Sequence, residues 1–189
     1  DCFRGYCAPH VLEVQVESFM KHPLFDKTKF INDICLIRLA ENVTFSDYIK
    51  PICLPSEVET KEQSTEQTNM TVAGWGALES DPETRLPHVL QEVEVVVWTT
   101  VYCQLIFGIE MDRERQMCAG GLEPAQGPCP GDSGGPLMYH NTTGGPGRQV
   151  LVGVVSAGYP CTQEDPTPSP AIFARVSTFM PWILNNIRL

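Results

Sequence analysis

The stretch GPCPGDSGGPLMY, Gly127 to Tyr139, sets one serine among glycines with an acid immediately before it. A serine hydroxyl is a poor nucleophile at neutral pH until a neighbouring base accepts its proton. A carbonyl under attack also needs donors for its developing charge, and backbone N–H groups serve well. Glycines let the backbone approach a substrate closely and adopt positive φ. In Gly131-Asp132-Ser133-Gly134-Gly135 the N–H groups of Gly131 and Ser133 can aim at one point. If Ser133 faces a cleft, Asp132 points elsewhere.

Outward from this segment the chain reads as strands. VLEVQVESFM, ICLIRL, MTVAGWG, HVLQEVEVVVW, QVLVGVVSAG and AIFARV show two-residue alternation or β-branched runs. Turn-rich pieces such as LESDPETRLP, HNTTGGPGR and CTQEDPTPSP separate them. SEVETKEQSTEQTN is polar and nearly devoid of large apolar groups. A helix is expected over STFMPWILNNIRL, capped by Ser177 or Thr178, with Phe179, Trp182, Ile183 and Ile187 on one face. A second, short helix is expected around TTVYCQLIFG.

The formal net charge of −10 over 189 residues argues against a nucleic-acid partner. No apolar run approaches a membrane span, which argues against a membrane partner. Eight cysteines, with sequons at Asn42, Asn69 and Asn141, point to a secreted, extracellular glycoprotein. No Cys-x-x-Cys or His pair has metal-ligand spacing, so no metal or other cofactor is expected. Eight cysteines allow many pairings, and spacing alone does not choose among them.

The serine segment resembles the chymotrypsin-like serine proteases, and further motifs extend the likeness along the chain. NDICLIRL resembles the stretch that carries the family's catalytic aspartate, which falls on Asp33. VAGWG, MCAGG, VGVVSAG and RVSTFMPWI follow in the family's order. The front, DCFRGYCAPHVLEVQVESFMKHPLFD, is similar to the corresponding loop and strand of arthropod clip-domain proteases. The resemblance implies an all-β fold of two six-stranded antiparallel barrels with a C-terminal helix. It implies a serine endopeptidase, a hydrolase secreted as a zymogen, that cuts protein substrates in an extracellular immune or developmental cascade. A serpin-type inhibitor is an expected partner.

The family's general base is a histidine in an Ala-His-Cys context ahead of the aspartate. His10, His22, His88 and His140 all lack that context and read as structural residues. The chain from 1 to 189 is therefore expected to be a peptidase S1-type catalytic domain without its N-terminal portion, including the activation site, the first strands and the histidine. Such a piece is expected to be inactive alone, by about a million-fold, and to leave its first barrel incomplete. By resemblance Asp132 is activation-linked: it pairs with an N-terminal ammonium freed by cleavage. Asp1 is not that group, so Asp132 is expected to lack a partner here.

The resemblance also places the floor of the specificity pocket at Gly127 and its walls at Ser156, Ala157, Gly158 and Ala171. Trypsin-like members carry an aspartate at the floor to bind Lys or Arg. With glycine there, a medium-sized apolar or aromatic residue is expected before the scissile bond, unless Glu164 or Asp165 supplies an acid. Disulfides Cys103–Cys118, Cys129–Cys161 and Cys2–Cys7 are implied, with Cys53 tethered to an upstream pro-segment or clip domain. Cys35 is expected as a buried free thiol. The alternatives weighed are an inactive protease homologue serving as a regulatory binding module, and a β-rich secreted scaffold. Asp33 and Ser133 both persist, which favours the enzyme.

Overall fold

A computed structural model describes residues 11–56, 68–78, 86–124, 126–143, 145–158, 161, 168 and 170–187, together with the backbone of 2–3 and 6–7. Ten strands run in chain order: β1 (Cys2–Phe3), β2 (Tyr6–Cys7), β3 (Val16–Lys21), β4 (Cys35–Leu39), β5 (Asn69–Gly74), β6 (Gln91–Trp98), β7 (Gln116–Gly120), β8 (Pro136–Asn141), β9 (Arg148–Gly158) and β10 (Pro170–Arg175). Helix α1 (Thr100–Phe107) lies between β6 and β7, and α2 (Val176–Asn186) follows β10. The fold is mostly β, and its centre is one closed antiparallel barrel in the order β10-β7-β6-β5-β8-β9. Strands β3 and β4 form a separate two-stranded sheet, as do β1 and β2. This is the chymotrypsin-like architecture with its second barrel whole, its first partial, and a C-terminal helix.

Side-chain alternation explains the barrel. On β5, Met70 and Val72 point inward, and on β6 Val95 and Val97 do the same while Glu92 and Glu94 face out. Leu137, Val150, Val152, Val155 and Phe173 complete this core. Strand β7 is buried along its whole length. Met117 and Ala119 enter the barrel core, while Cys118 packs on the other side with Cys103 and Ile172. The Cys103–Cys118 disulfide, S–S 2.04 Å, fastens α1 to that outer face.

Helix α1 is capped by Thr99, whose side chain accepts the Tyr102 N–H. Helix α2 starts at Val176, ahead of the expected Ser177 or Thr178 cap, and Arg175 at its N-cap provides no side-chain bond. The chain passes straight from β10 into the helix, leaving no loop to hold a capping serine. Phe179 and Ile183 are buried as expected, whereas Ile187 is exposed beyond the helix end.

The β3–β4 sheet is apolar yet open. Phe19 is 67% exposed and Ile37 63%. A cavity of about 540 Å³ lies between this sheet and the end of α2, lined by Met20, Leu36, Leu39, Val43, Phe45 and Ile187, among others. Cys35, expected to be buried, is exposed on β4, because a two-stranded sheet has nothing stacked over that face. Asn141 is 5% exposed and its Oδ1 accepts the Thr143 N–H. Asn42 and Asn69 stand in the open.

His22 ties the small sheet to α2. Its ring meets Phe179 edge-on at 5.5 Å and Trp182 at 5.0 Å, and its Nδ1 accepts the Leu24 N–H. Burial, reinforced by the Arg115 charge, holds the imidazole below its ordinary range. The unfolded chain then binds a proton more readily than the folded one. This contribution to stability is complete above about pH 6.5 and is lost as pH falls below it. The full-length protein should melt at a higher temperature at about pH 7.5 than at about pH 5.5, and His22→Phe should flatten that difference. Thermal melts of the two proteins across this range check it.

Candidate active site

Three segments meet at one short length of β9. The serine loop docks by two backbone bonds: Gly134 N–H donates to the Val155 carbonyl at 2.8 Å, and Val155 N–H donates to Gly135 at 2.9 Å. The next residue along, Ser156, donates its hydroxyl to Oδ2 of Asp33 at 2.7 Å. Ser133 and Asp33, a hundred residues apart in the chain, are thus fastened to neighbouring positions on one strand. A hydroxyl-to-carboxylate bond of this length is charge-assisted and among the stronger kinds.

Asp33 sits just before β4, in a segment with two left-handed residues, Phe30 (φ 54°) and Asn32 (φ 58°). Asn32 is buried and its Nδ2 donates to the Leu24 carbonyl at 2.7 Å. Asparagine tolerates this backbone region better than most residues. The turn it makes leads Asp33 out of the small sheet towards the barrel.

Ser133 is exposed in a tight turn. The turn is held by Asp132, whose carboxylate accepts two backbone bonds: Gly76 N–H donates to Oδ1 at 2.8 Å and Cys129 N–H to Oδ2 at 2.9 Å. The VAGWG segment supplies the seat. A methyl on Gly76 would lie 2.5 Å from the Asp132 carboxyl carbon, and one on Gly74 would lie 2.0 Å from its Oδ1. Gly131, at φ 101°, takes the turn that a residue with a side chain avoids. A cavity of about 170 Å³ opens beside the Asp132 carboxylate, bordered by Gly74, Gly76, Gln91, Gly127 and Cys129, among others.

Gly127, expected at a pocket floor, therefore borders the Asp132 cavity. The Cys129–Cys161 disulfide ties its segment to the chain just beyond the end of β9, and the backbone of Gly158 closes on the Pro128 carbonyl. Ala171 pairs with Gly158 across β9–β10, and its methyl is buried in the barrel core. Ala157 pairs with Ile172 across β9–β10 and packs against the outer cluster of Cys103, Met111 and Cys118. Glu164 and Asp165 lie outside the described residues, as does His10. The side chains of Cys2 and Cys7 do too, although their backbones face each other across β1–β2.

Of the three histidines with described positions, His88 is exposed ahead of β6 and the other two are engaged elsewhere in the fold. His22 is taken up with α2. His140 pairs with Gln149 near the end of β8 remote from Ser133, about 13 Å along the strand from Pro136, and its ring lies against Gly147. Cys53 is a free, exposed thiol whose flanks pair with β9, through Leu151 N–H to the Cys53 carbonyl at 2.8 Å.

A family model for trypsin matches residues 8–183. The chain belongs to the trypsin family. It is 35% identical over 188 residues to Phenoloxidase-activating factor 3 of Holotrichia diomphalia, covering 97% of this chain and 50% of that protein. It is 35% identical over 193 residues to CLIP domain-containing serine protease HP8 of Bombyx mori, covering 99% and 50%. Spaetzle-processing enzyme of Drosophila melanogaster is 34% identical over 188 residues, covering 96% and 44%. The chain thus spans about half the length of these curated relatives. By family it is a serine peptidase, and its similarity to insect clip-domain proteases runs through both the small sheet and the barrel.

In this trypsin-family chain the seat of Asp132 has no slack. Gly76→Ala should cost roughly 1–3 kcal/mol by overpacking, a drop of several degrees in Tm. The same change at exposed Gly145, where an added methyl meets nothing within 4 Å, should cost under about 1 kcal/mol. Differential scanning calorimetry on the two full-length variants separates them.

Proposed function

We propose that this chain is the larger part of the catalytic domain of a secreted serine endopeptidase that acts in an extracellular immune or developmental cascade. The reading rests on one observation above others: β9 carries the serine turn at Val155 and the Asp33 carboxylate at Ser156. In this reading Ser133 Oγ attacks the peptide carbonyl and a histidine takes its proton. Asp33 orients that histidine and stabilises its charged form. Across residues 129–135 the amides of Cys129, Asp132, Gly134 and Gly135 are engaged within the protein. The amides of Gly131 and Ser133 then hold the oxyanion. The amine product leaves, an acyl-enzyme remains on Ser133, and water releases it.

The histidine comes from a segment preceding Asp1. The open apolar face of the β3–β4 sheet supports this, because an exposed sheet of that character calls for further strands to cover it. The same segment completes the first barrel and brings the activation site, so the enzyme is made as a zymogen. After cleavage the new terminal ammonium reaches Asp132 through the cavity at Gly74 and Gly76. Cys53, exposed and free, pairs with a cysteine of the pro-segment or a clip domain. The names of the relatives, one phenoloxidase-activating and one Spaetzle-processing, support a protein substrate in a cascade. A serpin-type inhibitor fits such a role. Asn42 and Asn69 are the exposed glycan acceptors.

With glycine at position 127, the pocket takes a medium-sized apolar or aromatic side chain. Discrimination is shallow, about 1–3 kcal/mol per methylene. The full-length, activated protein should cleave peptides after Leu or Phe faster than after Arg or Lys. A peptide library varied at that one position, with Ser133→Ala as control, reads this directly. Fastest cleavage after Arg would overturn the pocket reading. No cleavage of any peptide would make the protein a regulatory binding module.

A further inference from the structure

The chain's one fully buried polar residue on β7 sits far from solvent yet spends its hydrogen bonds on the segment that presents Asp33. Gln116 is 0% exposed. Its Nε2 donates to the carbonyls of Lys29 at 2.9 Å and Phe30 at 3.1 Å, and its Oε1 accepts the Asp112 N–H at 2.8 Å. All three bonds agree with one orientation of the amide, since the nitrogen faces only acceptors and the oxygen only a donor.

Phe30 is the residue that gives this clamp meaning. It holds φ 54°, a region that a bulky side chain occupies only when its surroundings force it there. Its ring packs with Cys103, Met111, Cys118 and Ile172 on the outer side of the second barrel. Two residues later Asn32 repeats the left-handed turn, and Asp33 follows. The aspartate is therefore set by two attachments to the barrel. Ser156 grips its carboxylate, and Gln116 grips the backbone ahead of it.

We infer that Gln116 is a positioning residue for Asp33, holding the Lys29–Phe30 backbone in the left-handed kink that delivers the carboxylate to its histidine. The inference rests on Asp33 being the acid of the triad. Methionine at 116 would keep the volume and lose both donors. Glutamate would keep the shape and set a carboxylate against two carbonyl oxygens, so its effect should be larger.

The test uses the full-length, activated protein and the best peptide substrate. Gln116→Met should lower kcat about tenfold with KM changed less than about twofold. The acid limb of its kcat/KM profile should move to lower pH, because a less well placed Asp33 stabilises the histidine cation less. Gln116→Glu should show the same two changes more strongly, and supplies them if the methionine variant does not fold. A folded variant of either kind with native kcat and an unmoved acid limb overturns the inference, even if its Tm falls. Asp33→Asn is the separate control: if it retains native activity, the reading of Asp33 itself fails, whatever Gln116 does.

Discussion

The hydrogen bond from Ser156 to Asp33 joins two bodies that also meet through the Gln116 clamp on Lys29 and Phe30 and through His22 on α2. On one side is a closed barrel with its own core, and on the other a small apolar sheet whose faces are largely exposed. Hydrophobic packing in the barrel makes β9 rigid, and that rigidity is what gives the bond positional meaning. The serine turn is docked one residue earlier on the same strand. Where β9 lies, the serine turn and the Asp33 carboxylate lie with it. Sites borne on rigid strands hold their geometry more closely than sites borne on loops.

The serine turn itself is shaped by a half-buried carboxylate. Asp132 draws in the amides of Gly76 and Cys129, and only glycine at positions 74 and 76 leaves room for it. This couples three motifs that are distant in sequence: VAGWG, the cysteine of the pocket disulfide, and GDSGG. A carboxylate with two N–H donors is well satisfied without a cation, and it still borders a cavity into which a cation can come.

Much of this was legible in the residues. Strands with clean alternation, such as β5 and β6, declared themselves, and so did the short helix α1. Strand β7 did not, since QMCAG is buried on both faces and lacks β-branched residues. Asp33 and Ser133 were found through motifs, but the Ser156 bridge between them depends on the fold bringing β9 to both. Ser156 was read only as a pocket wall. Gln116 was missed altogether, because a buried glutamine before a cysteine carries no local pattern. The exposure of Cys35 and the burial of Asn141 were missed for a related reason. Each depends on what stacks over a strand, and a chain read in one dimension does not show its neighbours.

The central claim is that the fold makes Ser133 a reactive nucleophile once the histidine is supplied. Treating the full-length, activated protein with a fluorophosphonate and mapping the adduct by peptide mass spectrometry tests it most directly. The account predicts one phosphonylated peptide, carrying the adduct on Ser133, and no adduct on the unactivated protein. An activated protein that stays unlabelled, or that carries its label on a different serine, would contradict it.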